Sequence, residues 1–161
     1  MIVHPFHLFF LDAGKSSQQS HFASARGSSK LNDDYAPEKA IDGKISEDNS
    51  QFFHTRDESF PWLELSMPEG LISGVEIVTR GGCCADRVRD IEFRAGLEPV
   101  PDNFQGKKLT VNTKVATFVG PADAILKTYR ITFDKPVLAK FVSLQRIDEG
   151  VTLEINEITF F

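Results

Sequence analysis

The sequence is poor in cysteine and has no long apolar run, and these absences exclude several kinds of protein. Its two cysteines are adjacent, Cys83 and Cys84, so they neither build a spaced disulfide framework nor supply the ligands of a zinc site. No stretch of about 18 apolar residues occurs, which argues against a membrane-spanning helix. Residues 1–11 are apolar but lack the basic start that a secretory signal needs.

An excess of positive charge is also lacking. Eighteen lysine and arginine residues stand against 23 aspartate and glutamate residues, which gives a formal net charge of −5. Because nucleic acids and anionic membranes attract basic surfaces, we expect neither nucleic-acid binding nor membrane insertion. The sequence contains no serine-hydrolase elbow, zinc-protease helix or phosphate-binding loop, so we do not expect an enzyme.

The residues that are present predict a single all-β domain over residues 1–161. Apolar residues make up 41% of the chain and charged residues 25%, as in globular proteins. Short segments alternate apolar with polar residues between turn residues, which favours a β-sandwich or a β-barrel. The predicted strands are residues 62–65, 71–79, 88–95, 108–111, 115–119, 129–133, 137–144 and 153–155.

Two further local predictions concern a short helix and a polar segment. Pro37 suits the first position of a helix over residues 37–41, and Gly43 suits its termination. Residues 14–34 are rich in serine and are predicted to form a long surface segment.

The end of the chain shows a change in alternation. Leu153 and Ile155 share one face, whereas Ile158 and Phe160 fall on the opposite face. A β-bulge before Glu157 would produce such a slip and would re-aim that side chain. A strand buried on both faces would explain the pattern equally well.

The segment from Arg80 to Arg87 is the first candidate site. It places two guanidinium groups around a Gly-Gly turn and the adjacent cysteines, directly after a predicted strand. Arginine donates hydrogen bonds in a fixed fork, so the loop suits a polar ligand, although a turn with two solvated arginines is the simpler reading. The residues alone favour free thiols over a vicinal disulfide, because neighbouring Cα atoms lie about 3.8 Å apart and disulfides prefer about 4.4–6.8 Å.

His54 and an acidic loop are the other candidates. His54 is either a partner of the arginines in binding one ligand or an ordinary satisfied histidine. Residues 40–50 carry many oxygen atoms of the kind that bind calcium, but without the spacing of an EF-hand, so a solvated acidic loop is the alternative.

Together these residues resemble the F-type lectin family, the fucolectins, over residues 14–161. The A-I-D-G segment at residues 40–43 resembles the family's calcium turn, and P-W-L-E-L at residues 61–65 is similar to one of its strands. The family's sugar motif is a histidine, an arginine about 26 residues later, a Cys-Cys pair and a second arginine. The residues in that register are His54, Arg80, Cys83, Cys84 and Arg87, with 80 − 54 = 26.

The resemblance implies a discoidin-like jelly-roll β-sandwich that binds L-fucose beside a structural calcium. In that reading the histidine and both arginines hydrogen-bond the sugar, and Cys83 and Cys84 form a vicinal disulfide that packs on the sugar ring. Phe52 or Phe53 would contact the sugar's methyl group, although a place in the core is favoured for both.

The resemblance also implies a set of calcium ligands. The cation would tie the acidic loop to the last strand and so position His54 without touching the sugar. The implied ligands are the side chains of Asp42 and Glu157 and the carbonyl groups of Lys39, Lys44, Gln51 and Asn156.

The sequence departs from the family pattern at several positions. Gly82 stands where the family has an acidic residue that orients the two arginines, so both lack this partner unless Asp86 replaces it. Affinity or sugar preference is therefore expected to change. Phe52 and Asn156 stand where the family has a pair of cysteines, and no lone thiol remains.

The expected function is that of a secreted, non-catalytic lectin for terminal L-fucose on glycans or glycoproteins. The extracellular location is implied by the family and by the disulfide, which needs oxidising conditions. Avidity would require a homo-oligomer or additional domains. The alternative is a degenerate lectin fold that acts in protein interaction or adhesion or binds a different glycan, and Gly82 is its main support.

Overall fold

The computed structural model describes residues 19–161, which form eight β-strands and three short 3₁₀ helices. Residues 1–18 lie outside the described part, and with them the apolar start of the chain. No helix among the described residues is long and apolar enough to cross a membrane. The strands are β1 (Ser24–Gly27), β2 (Phe53–His54), β3 (Trp62–Val78), β4 (Ile91–Gly96), β5 (Thr113–Phe118), β6 (Thr128–Arg146), β7 (Glu154–Ile155) and β8 (Glu157–Phe160).

The two long strands β3 and β6 organise an antiparallel β-sandwich. The larger sheet has the order β1-β3-β6-β4-β5, with β8 also paired to β3, and a small sheet pairs β2 with β7. The pairing of β3 with β6 shifts register between Ser66 and Gly70 and again between Ile72 and Gly74. Such irregularities bend strands. β3 pairs with β1 near its start and with β8 near its end, and β6 pairs with β4 only near its end. The all-β, jelly-roll prediction is confirmed.

Alternation of apolar and polar residues builds the core. In β4, Ile91, Phe93 and Ala95 are buried, whereas the residues between them are half-exposed. Leu63, Leu65 and the corresponding residues of β6 extend the same cluster. Each large apolar side chain removed from water contributes roughly 1.5–3 kcal/mol, so these strands supply much of the folding free energy.

Several predicted boundaries differ from those observed. The segments on either side of residues 66–70 form the single strand β3, and those on either side of Pro136 form the single strand β6. Proline is accepted there because Thr132 pairs with Gly74 and Val137 with Ile72, which leaves residues 133–136 in the irregular part of the ladder.

Two predicted segments were assigned to the wrong structure. Residues 108–111 form no strand, because Leu109 is buried in a small separate cluster with Trp62 and Val100. The serine-rich polar segment contains β1, which pairs with β3 and buries Ala25.

The short helix and the break near the end are both observed. Pro37 begins the 3₁₀ helix Pro37–Ile41, and Gly43 follows it with a φ of 74°. The chain changes sheets at Asn156, because β7 pairs with β2 and β8 pairs with β3. Residues 153–159 are all buried, so the change of alternation reflects a switch of partner strands as well as burial on both faces.

Candidate functional site

A buried carboxylate, Glu154, brings together the three donors that the sequence singles out. Its Oε1 atom lies 2.7 Å from His54 Nε2 and accepts hydrogen bonds from Arg80 Nη1 at 3.0 Å and Arg87 Nη1 at 3.1 Å. The Thr152 hydroxyl donates to the same oxygen at 3.2 Å. The loop at 80–87 and the histidine 26 residues before it therefore belong to one cluster.

The fold explains how these residues meet. The pairing of β2 with β7 sets His54 directly opposite Glu154. Arg80 lies two residues beyond the end of β3, and Arg87 ends the 3₁₀ helix Ala85–Arg87. Three elements that are far apart in sequence thus contribute to one end of the sandwich.

Opposing effects act on the pKa of Glu154. Burial favours the neutral acid and raises the pKa. The hydrogen bond and charge of His54, the charge of Arg80 and the hydrogen bond from Arg87 favour the carboxylate more strongly, and they lower the pKa to about 2. Glu154 is therefore ionised at neutral pH and fixes its cationic partners.

The two arginines differ in accessibility. The Arg80 side chain is 6% exposed, donates through Nη2 to Asn49 Oδ1 at 3.2 Å, and lies over the Phe52 ring with 4.8 Å from Cζ to the centroid. The Arg87 side chain is 48% exposed and bonds Glu154 through Nη1. A guanidinium carries five N–H donors, so Arg87 keeps several for a ligand, whereas Arg80 is mostly engaged inside the protein.

Gly82 is required by its surroundings. Its φ is 78°, and a Cβ atom added there would lie 1.9 Å from Asn49 Oδ1. An acidic side chain at this position would displace Asn49, which itself accepts a hydrogen bond from Arg80. The arginines nevertheless have a carboxylate partner, because Glu154 takes that role. Asp86 does not, since it is exposed and forms no ion pair among the described residues.

Cys83 and Cys84 form a disulfide between adjacent residues. The vicinal disulfide that the family resemblance implies is therefore present, and the free thiols that the residues alone favour are not. Cys83 is exposed and Cys84 is half-exposed, with Cys84 in the left-handed region at a φ of 67°. The disulfide thus presents sulfur atoms on the surface of the loop that ends at Arg87.

Phe52 and Phe53 are fully buried, in agreement with the favoured core role. The Phe52 ring packs edge-on against Tyr35 at 5.5 Å, and Phe53 belongs to the main core cluster. Neither side chain offers surface to a ligand in this structure.

Glu157, one of the predicted metal ligands, is a second buried carboxylate. Its Oε1 atom accepts a hydrogen bond from the Gly43 amide at 3.1 Å, and its Oε2 atom is buried without a hydrogen-bond partner. Burial raises the pKa of Glu157, the charge and hydrogen bonding of Asp42 add to this effect, and the Gly43 amide opposes it, so that the pKa is about 7. The carboxyl groups of Asp42 and Glu157 therefore lie close to each other.

The predicted ligand residues border two cavities that share Ile45. A cavity of about 330 Å³ is lined by four of the six, Lys39, Asp42, Lys44 and Gln51, whereas Glu157 lines the other cavity. Asn156 is tied to the same loop, because its side chain accepts from the Ser46 amide and donates to the Ser46 carbonyl. The described residues hold no group of three or more histidine, cysteine or acidic side chains, so carbonyl oxygens would complete the coordination, as calcium accepts.

Sequence reasoning missed Glu154 and Asn49. Glu154 stands between Leu153 and Ile155, where alternation places a polar residue on the solvent side. The only signal was a charged residue inside a short apolar segment near the predicted break. Asn49 lies in the polar loop and carried no signal of its own.

The structure resembles several solved domains that bind sugars. A fucolectin from striped bass serum matches with a TM-score of 0.73 and 20% identity, over 85% of this chain and 45% of that one. The lectin domain of lectinolysin, solved with Lewis b antigen, matches at 0.65 and 19%, over 86% and 91%. A fucose-binding module from Streptococcus pneumoniae matches at 0.64 and 18%, over 86% and 92%.

This chain has the discoidin-like fold of the F-type lectins. At 18–20% identity, the similarity to these structures establishes the fold of this chain. The chain spans less than half the length of the striped bass protein. No protein-family model and no curated protein matches the sequence.

Proposed function

We propose that the discoidin-like domain is a non-catalytic lectin that binds terminal L-fucose through His54, Arg80, Arg87 and the Cys83–Cys84 disulfide. The observation that carries the proposal is the meeting of the histidine and both arginines at Glu154, on the loop that bears the disulfide. The similarity in fold to fucose-binding modules supports it.

The chemistry of the cluster suits a neutral sugar. Fucose presents hydroxyl groups along its edge and an apolar ring face with a methyl group. Arg87 offers free donors for the hydroxyl groups, and the exposed disulfide offers a rigid, polarisable surface for the ring. Because Glu154 already holds the donors, little side-chain freedom is lost on binding, which limits its entropic cost.

A calorimetric titration of L-fucose into the oxidised protein, with calcium present, tests this function. We expect saturable binding that weakens after mild reduction of the disulfide. Mannose is the matched control, because it has similar size and charge but a different arrangement of hydroxyl groups. Absence of fucose binding in both redox states would contradict the proposal.

The same proposal includes a structural calcium ion. Asp42 and Glu157 would hold it, together with carbonyl groups of Lys39, Lys44 and Gln51 and of Asn156. Calcium supplies the positive charge that these two carboxyl groups lack. The ion would connect the loop after Pro37–Ile41 to β8, and the next segment of that loop leads directly to His54.

The cellular setting belongs to the proposal as well. A surface disulfide persists under oxidising conditions, which supports an extracellular lectin acting on fucosylated glycans or glycoproteins. One proposed site on one domain gives modest affinity, so high avidity would come from a homo-oligomer or from further domains.

A second candidate is recognition of a different glycan, or of a protein surface. The observation that favours it is the deep burial of Arg80, whose Nη1 and Nη2 atoms both bond to the protein. Fewer donors then remain for a sugar than the sequence motif suggests. Binding to a glycoprotein that free fucose does not displace would favour this candidate.

A further inference from the structure

The outer face of the large sheet carries a second cleft, which shares no lining residue with the cavity at His54 and Arg87. Leu63 and Leu65 of β3 belong to the main core, so Glu64, which alternates with them, lies on the opposite face of the sheet. The cleft lies on that opposite face and has a volume of about 370 Å³, within the range of small-ligand pockets. The sheet therefore offers a cavity of binding size on the side that faces away from the core.

One wall of this cleft is the loop that follows β4, and buried groups hold that loop in place. The Glu64 side chain is buried and accepts a hydrogen bond from the Val100 amide through Oε2. Val100 also belongs, with Trp62, to the small apolar cluster outside the main core. Pro99 and Pro101, on either side of Val100, have restricted φ angles. The wall is therefore formed before any ligand arrives.

Arg26 is the main hydrogen-bond donor of the cleft. Its Nε and Nη2 atoms donate to Glu64 Oε1 at 2.8 and 2.6 Å, and Nη2 also donates to the Val100 carbonyl at 2.7 Å. The side chain is nevertheless 41% exposed, and among the described residues its Nη1 atom bonds only the exposed carboxylate of Asp102, at 3.2 Å. One side of the guanidinium is thus fixed by the protein, and the other side is available to a ligand together with Asp102.

This arrangement repeats that of the candidate fucose site with different residues. At the fucose site the buried Glu154 holds the half-exposed Arg87, and here the buried Glu64 holds the half-exposed Arg26. In both places the arginine borders a cavity. Because the buried carboxylate has already ordered the arginine, a ligand that bonds to the guanidinium pays little entropy for ordering it.

The floor of the cleft supplies hydroxyl groups and an aromatic ring. Ser24 of β1 lies opposite Ser66 of β3, and their hydroxyl groups bond to each other. Phe141 of β6 lies between Ser66 on one neighbouring strand and Gly96 on the other. Since both neighbours are small, the Phe141 side chain remains half-exposed and borders the cleft.

A neutral hexopyranose fits these features, because it has hydroxyl groups along its edge, an apolar face of C–H groups and no charge. The charged residues that line the cleft are one arginine and two acidic residues, which disfavours an anionic ligand. We propose that the cleft is a second saccharide site, in which Arg26 and Asp102 bond the sugar's hydroxyl groups and Phe141 packs against its ring. Together with the proposed fucose site, it gives a single domain two places for glycan chains.

Titration with three neutral sugars tests the second site: methyl β-D-galactoside, methyl β-D-glucoside and N-acetyl-D-glucosamine. Two signals report on the cleft, namely the NMR resonance of the Arg26 Nε–H group and the fluorescence of Trp62, the single tryptophan, whose ring centroid lies 5.8 Å from Arg26 Cζ. We expect at least one of the sugars to change both signals in a saturable manner. If none does, or if methyl β-D-glucuronide binds more tightly than the neutral sugars, the proposal is overturned.

Asp102→Ala should weaken binding of the responding sugar about tenfold, as the loss of one hydrogen bond to a charged group gives. Asp33→Ala is the matched control, because Asp33 is equally exposed and pairs with Lys30 outside the cleft. Phe141→Leu is a second variant, which keeps an apolar side chain but removes the flat ring, and it should also weaken binding. Binding that both Asp102→Ala and Phe141→Leu leave unchanged would overturn the site.

Mild reduction of the disulfide, with methyl α-L-fucoside as a fourth sugar, separates this site from the fucose site. Reduction should weaken fucoside binding and leave the response of Arg26 to the neutral hexose unchanged, because no cysteine lines the cleft. A hexose response without fucoside binding would support the cleft and overturn fucose recognition, whereas fucoside binding without a hexose response would overturn only the second site. A hexose response that disappears on reduction would assign that sugar to the disulfide loop and overturn the second site.

Discussion

Glu154 and Glu157 are buried glutamates three residues apart, yet their pKa values are shifted in opposite directions. Burial, acting alone, raises the pKa of both. At Glu154, His54 and the two arginines reverse this effect and lower the pKa to about 2. At Glu157, Asp42 adds to it, and the pKa is raised to about 7.

The comparison shows that the partners, rather than burial itself, decide what a buried carboxylate does. Glu154 has three cationic or potentially cationic side chains on one oxygen atom, so it acts as an organising anion for the candidate site. Glu157 has a backbone amide and a second carboxyl group as its partners, so its charged form is disfavoured. Each glutamate keeps one buried oxygen atom, Oε2, without a hydrogen-bond partner among the described residues, so the contrast between them lies in the charges around them. The protein supplies the cations at Glu154, and calcium is proposed to supply one at Glu157.

Removal of Glu154 is expected to have the largest effect. Glu154→Ala leaves Arg80 buried without its carboxylate, which should cost about 3–5 kcal/mol of unfolding free energy. Urea denaturation followed by fluorescence measures this loss. Glu69→Ala is the control, because the exposed Glu69–Lys140 pair, 3.9 Å apart, should contribute less than about 1 kcal/mol. Equal effects of the two variants would contradict the organising role.

Lowering the pH should reduce the stability that the ionised Glu154 contributes. The pKa of Glu154 is about 2 in the folded protein and has an ordinary value of 4.5, so its contribution is complete above pH 4.5 and is lost as the pH falls toward 2. A difference of that size corresponds to roughly 3 kcal/mol. Urea denaturation at several pH values should show this decline in the wild-type protein and a shallower one in Glu154→Gln. Parallel profiles would count against the assignment.

Calcium should stabilise the protein through Glu157. At a concentration 100-fold above the dissociation constant, binding to the folded state adds about 2.7 kcal/mol of unfolding free energy. Thermal unfolding in calcium and in a chelator measures the gain, and Glu157→Gln should abolish it. Glu149→Gln, at an exposed position, should retain the gain. A calcium response that survives Glu157→Gln would place the ion elsewhere.

Removal of either arginine should weaken fucose binding, and the two variants should differ in stability. Arg87→Ala removes a half-exposed partner of Glu154, so we expect loss of fucose binding with less than about 1 kcal/mol of destabilisation. Arg80→Ala removes a buried partner, so binding and stability should fall together. Calorimetry and urea denaturation of both variants, with Arg89→Ala as an exposed control, measure the contrast. Undiminished fucose binding by Arg87→Ala would contradict the assignment of the fucose site.

Most of the fold follows from local patterns in the sequence. Alternation located most of the strands, and the Pro37 and Gly43 positions located the short helix, because both signals depend only on neighbouring residues. The prediction failed at residues 108–111, where an apolar pattern belongs to a loop that packs on Trp62. It also failed to join the segments on either side of Pro136, because an irregular ladder is set by the opposing strand.

The candidate site could be predicted only in part. The resemblance to the fucolectin sugar motif identified His54, Arg80 and Arg87, and the structure brings them together. Glu154 was missed, because alternation indicates which face a residue occupies but not which cations lie across from it. The sequence left open which carboxylate would pair with the two arginines, because Gly82 stands where the family has an acidic residue. The structure shows that this carboxylate is Glu154, in β7.

The sequence by itself determined the all-β class and the turn chemistry, since these depend on local residue type and spacing, and its resemblance to the fucolectin motif indicated the donors. Only the tertiary structure decided that Glu154 would meet cations and Glu157 another carboxylate. The physical reason is that the energy of a buried charge depends on neighbours brought close by strand pairing, as β2 and β7 bring His54 to Glu154. Such neighbours are remote in the chain and have no signature at the position itself.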